Sequence, residues 1–298
     1  MPVRNSTTLL DGGTGRELKR IGAPFRQPEW SALALIEAPE YVTRVHSAYA
    51  AAGADVITTN SYAVVPFHIG DERFATDGAR LATLAGRLAR DVADGAGRRV
   101  AVGGSLPPIC GSYRADWFDP TFARPILARL VDALRPAVDH WQAETLSVIE
   151  EAELVRSVVG NDGKPLWLSF TIADEDYAAK PGEPRLRSGQ SVADAAIAAA
   201  ALGAQAILFN CSQPEVMAPA IELARATRPL LRVGVYANAF APMTASAEAN
   251  AQLHDIRADL TPPGYLVWAR DWIARGATIV GGCCGIGPEH IAALRAAL

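Results

Sequence analysis

Three cysteines carry the strongest chemical signal in this chain: Cys211 and the adjacent pair Cys283 and Cys284. Thiols are scarce here, with 4 cysteines among 298 residues. The pair stands in glycine, "VGGCCG" at 280–285, and Cys211 stands in "LFNCS" at 208–212. Neighbouring cysteines cannot form an ordinary disulfide with each other without backbone strain. Glycine on both sides lets two consecutive residues face one point and lets a ligand approach closely. A zinc ion accepts three thiolates at about 2.3 Å in tetrahedral geometry, and three protein ligands leave the fourth position open, the catalytic pattern. The paired C-x-x-C knuckles of structural zinc sites are absent. The alternative for each cysteine is a small buried hydrophobe, and this is the reading taken for Cys110.

A tris-thiolate centre is rich in negative charge and suits a soft ligand such as a sulfur. A free thiol is mostly protonated at neutral pH, and coordination removes that proton, which leaves a nucleophile. Asp11 and Glu144 are placed to accept a substrate ammonium group. Their bland alternatives are a turn residue before Gly12 and Gly13, and an ion pair with an arginine. Asn60, Ser105, Asn210 and Asn238 fall at equivalent places in the chain and complete the substrate-binding candidates.

These residues share a position because of the elements that carry them. Eight β-rich apolar runs recur, at 7–13, 55–62, 99–106, 141–148, 165–171, 206–212, 231–238 and 277–284. They are continuous rather than alternating, as buried parallel strands are. Helical patterns separate them. Pro39 opens one that Gly53 stops. Leu81, Leu84, Leu88 and Val92 make a second stripe, and Ile126, Leu127, Leu130 and Leu134 a third. Ser191 and Asp194 form a capping-box-like start, and Pro288 opens the last helix. Eight strand–helix units predict one α/β domain over 1–298, a (β/α)8 TIM barrel with its chemistry at the C-terminal strand ends. The runner-up is an open doubly wound sheet, against which there is no G-x-G-x-x-G after the first strand. Trp167, Trp268 and Trp272 read as core. The segments 173–190 and 239–264 are long enough to be lids or substrate walls.

Composition narrows the partners. The formal net charge is −4 with both signs interspersed. Neither a nucleic acid nor an anionic membrane is an expected partner. No secretory signal or bilayer-spanning run is read, so a reducing, cytoplasmic location is expected. The oligomeric state is not legible.

The segments "LLDGGTGRELKRIG" (9–22), "GADVITTNSY" (53–62), "WQAETL" (141–146), "LSFT" (168–171), "LFNCS" (208–212) and "GATIVGGCCGIGPEHI" (276–291) span the chain. Together they resemble the homocysteine S-methyltransferases. That resemblance implies a (β/α)8 barrel with Zn2+ held by Cys211, Cys283 and Cys284. It implies homocysteine bound with its amino group near Asp11 and Glu144, and a methyl group taken from an onium donor to give methionine. S-methylmethionine and S-adenosylmethionine are the favoured donors, with another thiol or selenol as the alternative acceptor. The chain departs from the usual family forms at Arg16, Thr145, 105–118 and 235–240, where the donor and part of the acceptor should sit. Tyr113, Arg114, Asp116, Trp117 and Phe118 could form a donor-facing wall, since an aromatic face attracts a sulfonium; ordinary loop packing is the alternative. A hydrolase or lyase using zinc-bound water needs a His-rich or Asp-rich set. Only 5 histidines are present, and His68 alone follows a strand end. A non-catalytic zinc protein would need a fourth fixed ligand.

Overall fold

The computed structural model describes residues 7–175, 182–241 and 255–298. Among them, eight parallel strands lie in the order β1-β8-β7-β6-β5-β4-β3-β2. They are β1 (Thr8–Leu9), β2 (Val56–Thr58), β3 (Ala101–Leu106), β4 (His140–Leu146), β5 (Leu166–Phe170), β6 (Ala206–Asn210), β7 (Arg232–Tyr236) and β8 (Ile279–Val280). One further parallel bridge, Leu10 to Val56, brings the first strand to the second and closes the ring. Helices surround it, and the (β/α)8 barrel expected from the eight-fold rhythm is the fold.

The seam between β1 and β2 is unusual. Asp55 N donates to Leu9 O at 2.6 Å, as in an ordinary ladder. The next donors are met by side chains: Leu9 N by Asp55 Oδ2 at 2.9 Å, and Thr58 N by Asp11 Oδ2 at 2.7 Å. Two carboxylates replace backbone carbonyls where the barrel closes.

Most strands are shorter than the apolar runs that announce them. The first run extends over 7–13 but pairs only at Thr8–Leu9, and the last covers 277–284 but pairs only at Ile279–Val280. The remaining residues leave the ladder to build the mouth. The helix signals hold. Pro39–Ala52 begins on its proline and ends at Gly53, whose φ of 103° suits only a residue without Cβ. Ser191 Oγ accepts from Asp194 N at 3.0 Å. Asp194 accepts the Ser191 hydroxyl at 2.8 Å, so its carboxylate answers the cap side chain. In Asp71–Gly95 the fully covered face runs through Leu81, Ala82, Ala85 and Ala89, while Leu84, Leu88 and Val92 flank it. Small alanines allow close approach to the barrel, so the larger side chains sit at the edges of the contact. Trp272 is fully buried and Trp167 nearly so, with Trp268 packed against the core. No helix of the described residues is long and apolar enough to cross a membrane. The lid expectations for 173–190 and 239–264 fall partly on 176–181 and 242–254, outside the described residues, as does His254.

Candidate active site

The loops after β1 and β8 form the floor of the site, and glycine decides how closely they meet. A Cβ on Gly13 would lie 2.6 Å from Cys283 O, and one on Gly12 would lie 2.2 Å from Ile286 O. Gly13 N donates to Ile286 O at 3.0 Å and Cys283 N to Ala237 O at 2.9 Å. Backbone rests on backbone, which only glycine permits. The cysteine loop is thereby fixed between the segments after β1 and β7.

Cys211, Cys283 and Cys284 converge as the sequence suggested, with their sulfur atoms all within 4.8 Å of one another. Tetrahedral thiolate ligation at about 2.3 Å places sulfurs about 3.8 Å apart, so this donor set fits one zinc-sized ion. The sulfurs of Cys211 and Cys283 approach closely enough to pair, with Cα atoms 5.8 Å apart, and Cys284 is a free thiol. Convergence this tight has two chemical outcomes, pairing under oxidation and shared coordination under reduction. Burial pushes the Cys284 thiol up to about 11, and Arg16 offsets this only partly. Such a thiol ionises at neutral pH only beside a strong cation. Among the described residues no histidine or carboxylate joins the cluster as a fourth ligand.

Asp11 and Glu144 line the same cavity. Asp11 is buried and accepts from Thr58 N, and from Thr58 Oγ1 at 3.0 Å. Burial raises its pKa from 3.8 to about 7, against these hydrogen bonds and with a smaller upward push from Glu144. Glu144 accepts from Ser105 Oγ, from Tyr236 Oη at 3.2 Å and from Gln142 Nε2 at 3.4 Å. Burial holds its pKa above the usual carboxylate value. Among the described residues neither carboxylate has an arginine partner. Both acids face the shared cavity.

The remaining candidates separate. Asn60 lines the cavity with its amide nitrogen on Ser31 O at 3.1 Å. Asn210 also lines it, but its side chain ties strands together: Oδ1 accepts from Thr145 N at 2.9 Å and Ser169 Oγ at 2.7 Å, and Nδ2 donates to Thr145 Oγ1 at 2.9 Å. This tie supports Thr145 at φ 62°. Ser105 sits outside the lining and donates its hydroxyl to Glu144. Asn238 is fully buried outside the lining as well, accepting from Phe240 N at 3.2 Å.

Sequence reasoning passed over the aromatic wall. Trp30, Tyr62, Tyr113 and Tyr236 all line the cavity, and only Tyr113 was anticipated. Tyr236 ends a strand and could have been found by its inward register. Trp30 follows an irregular loop that no periodicity marks. His68, the histidine singled out, hydrogen-bonds Pro28 O through Nδ1 at 3.0 Å and packs on Trp30, Tyr62 and Phe67. It supports this wall rather than a metal. In the third loop, Arg114 lies over Trp117 at 3.9 Å and pairs with Asp116, while Phe118 packs on the core, so these four are outside the lining. Among the described residues no lysine or arginine lines the cavity.

Comparison with known proteins agrees with this arrangement. Homocysteine S-methyltransferase of Escherichia coli is 30% identical over 97% of this chain and 94% of its own length. Selenocysteine methyltransferase of Astragalus bisulcatus is 25% identical over 95% and 90%. The crystal structure of the Escherichia coli homocysteine methyltransferase MmuM in its metallated form superposes with a TM-score of 0.78 at 27% identity, covering 99% of this chain and 97% of that one. The homocysteine S-methyltransferase family model matches residues 8–298, and the chain belongs to that family.

Proposed function

We propose that this enzyme transfers a methyl group from an onium donor to the sulfur of homocysteine, giving methionine, with zinc held by Cys211, Cys283 and Cys284. The observation that carries the reading is the composition of one cavity: three converging thiols, two carboxylates and aromatic walls, with no lysine or arginine among the described lining residues. Zinc bound there supplies Lewis acidity that favours the thiolate form of a substrate thiol.

The chain's own residues do the rest. Asp11 and Glu144 accept hydrogen bonds from the substrate ammonium, with Thr58 fixing one carboxylate and Ser105, Gln142 and Tyr236 the other. Trp30, Tyr62, Tyr113 and Tyr236 exclude water and offer ring faces to a cationic donor. The substrate sulfur attacks the methyl carbon in line. A sulfur–carbon bond forms as the bond from methyl to the onium centre breaks, and the electron pair leaves with the former onium atom. Opposite charges disappear in this step, so a dry cavity favours it, and fixed orientation removes much of the remaining barrier. S-methylmethionine and S-adenosylmethionine are the preferred donors. A reducing compartment such as the cytoplasm keeps the thiols available.

The relative named selenocysteine methyltransferase supports a second reading in which the acceptor is a selenol. The test is metal analysis of reduced protein, then incubation of homocysteine or selenocysteine with S-methylmethionine, S-adenosylmethionine or betaine, with products followed by mass spectrometry. One zinc per chain and methionine from a sulfonium donor are expected. Zinc without transfer to either acceptor would overturn the reaction while leaving the thiol site in place.

A further inference from the structure

Cys211 adopts φ 52°, a left-handed conformation that is unfavourable for a residue with a Cβ. Such a conformation persists only where the surroundings impose it. Here the surroundings come from the segment after β5. Ser212 Oγ accepts from Ile172 N at 2.8 Å, and Thr171 Oγ1 reaches Cys211 O at 3.5 Å. Asp174 Oδ2 accepts from Gln213 N at 2.9 Å. Three consecutive residues, from Cys211 to Gln213, are thus held by Thr171, Ile172 and Asp174.

That segment is in turn fastened by Arg187. Its guanidinium meets Asp174 Oδ1 at 2.7 Å, with the two side chains 4% and 0% exposed. Its Nε also reaches Thr171 Oγ1 at 3.5 Å. The same guanidinium lies 5.0 Å from the centroid of the Tyr113 ring, and Tyr113 packs on Cys211 and Cys283. A single buried cation therefore touches two residues that hold the Cys211 turn and the ring that covers its sulfur. Removing one member of a buried pair leaves the other charge uncompensated, so the latch depends on both.

We infer that Arg187, paired with Asp174 and laid over Tyr113, is a positioning residue that holds the Cys211 turn so that its sulfur stays beside those of Cys283 and Cys284. The inference rests on the reading that the three cysteines bind zinc. Partners behind a metal ligand typically change affinity by roughly 10-fold or more when removed. Arg187→Met keeps much of the stem while removing the cation. Arg187→Lys keeps the charge but loses the planar fork. Thr171→Val preserves the ion pair and the local shape while removing the hydroxyl that links Arg187 to Cys211 O and to Ser212 Oγ, the latter at 3.1 Å.

The experiment is competition for Zn2+ between each reduced protein and a chromophoric chelator at fixed pH, with Co2+ substitution to read the thiolate-to-metal absorption band. For Arg187→Met, Zn2+ affinity should fall roughly 10-fold and the Co2+ band should shift. Arg187→Lys should recover part of the affinity. Thr171→Val should weaken Zn2+ in the same direction. It also keeps the test decisive if Arg187→Met fails to fold. A lower melting temperature with wild-type Zn2+ affinity and an unchanged Co2+ band would overturn the inference, because Arg187 would then stabilise the loop alone. Unchanged affinity in Thr171→Val, should Arg187→Met not fold, would overturn it equally. Wild-type protein that takes no Zn2+ would instead remove the metal reading and this inference with it.

Discussion

Asp11 faces two demands that pull in opposite directions. Accepting a substrate ammonium requires its ionised form, whereas burial favours the neutral one and raises its pKa to about 7. Catalytic efficiency toward homocysteine should therefore fall as pH drops below about 7, measured as kcat/KM between pH 6 and 8. Stability runs the other way. A carboxyl whose folded pKa lies above its unfolded value stabilises the fold below pH 3.8 and loses that contribution as pH rises through about 7. Asp11→Asn should keep or raise the melting temperature at pH 8 while lowering kcat/KM by roughly 10- to 100-fold, the worth of a charged hydrogen bond. Glu144 depends on its supports instead. Tyr236→Phe removes a hydroxyl donor at 3.2 Å and should raise the homocysteine KM by about 5-fold, near 1 kcal/mol. Cys283→Ser should abolish metal retention and turnover together; normal methyl transfer by that variant would overturn the thiol site. The cysteines and the two acids were legible in the sequence because their types are rare or placed at the ends of apolar runs. Trp30 and Tyr62 were not, because an aromatic side chain serves a core as readily as a cavity, and only packing tells which.

Between residue and fold stand the strand ends. Asn210 illustrates how an expected site residue becomes an element-level tie. Its placement at the end of β6 was readable, but its role depends on Thr145 taking a left-handed backbone and on Ser169 sitting across the sheet. Asn210→Ala should cost about 2–3 kcal/mol, because a buried Thr145 N–H loses its partner. Denaturant unfolding would show this as a lower midpoint with an unchanged slope. The helix signals were legible wherever a local device sets them, as at Pro39, Gly53 and Ser191. The extent of the strands was not, because glycine and polar residues that continue an apolar run leave the ladder once a site needs them.

At the scale of the molecule, eight repeating units sufficed to identify a closed barrel, and the same repetition placed the chemistry at one end. How the ring is joined was illegible, since no local pattern marks Asp55 and Asp11 as the acceptors for the Leu9 and Thr58 amides at the seam. The seam gives closure a property of its own. Where β1 meets β2, Asp11 serves as hydrogen-bond acceptor for the Thr58 amide and as candidate anchor for the substrate amine. The barrel is thus stapled by a residue that its ligand also grips. Amide protons along 9–11 and 56–58 should exchange with deuterated solvent faster than those of the fully paired β4–β5 and β5–β6 ladders, and should slow when the amino-acid substrate occupies the site. Ligand occupancy would then be readable in the breathing of a wall, at an amide that never touches the transferred methyl group.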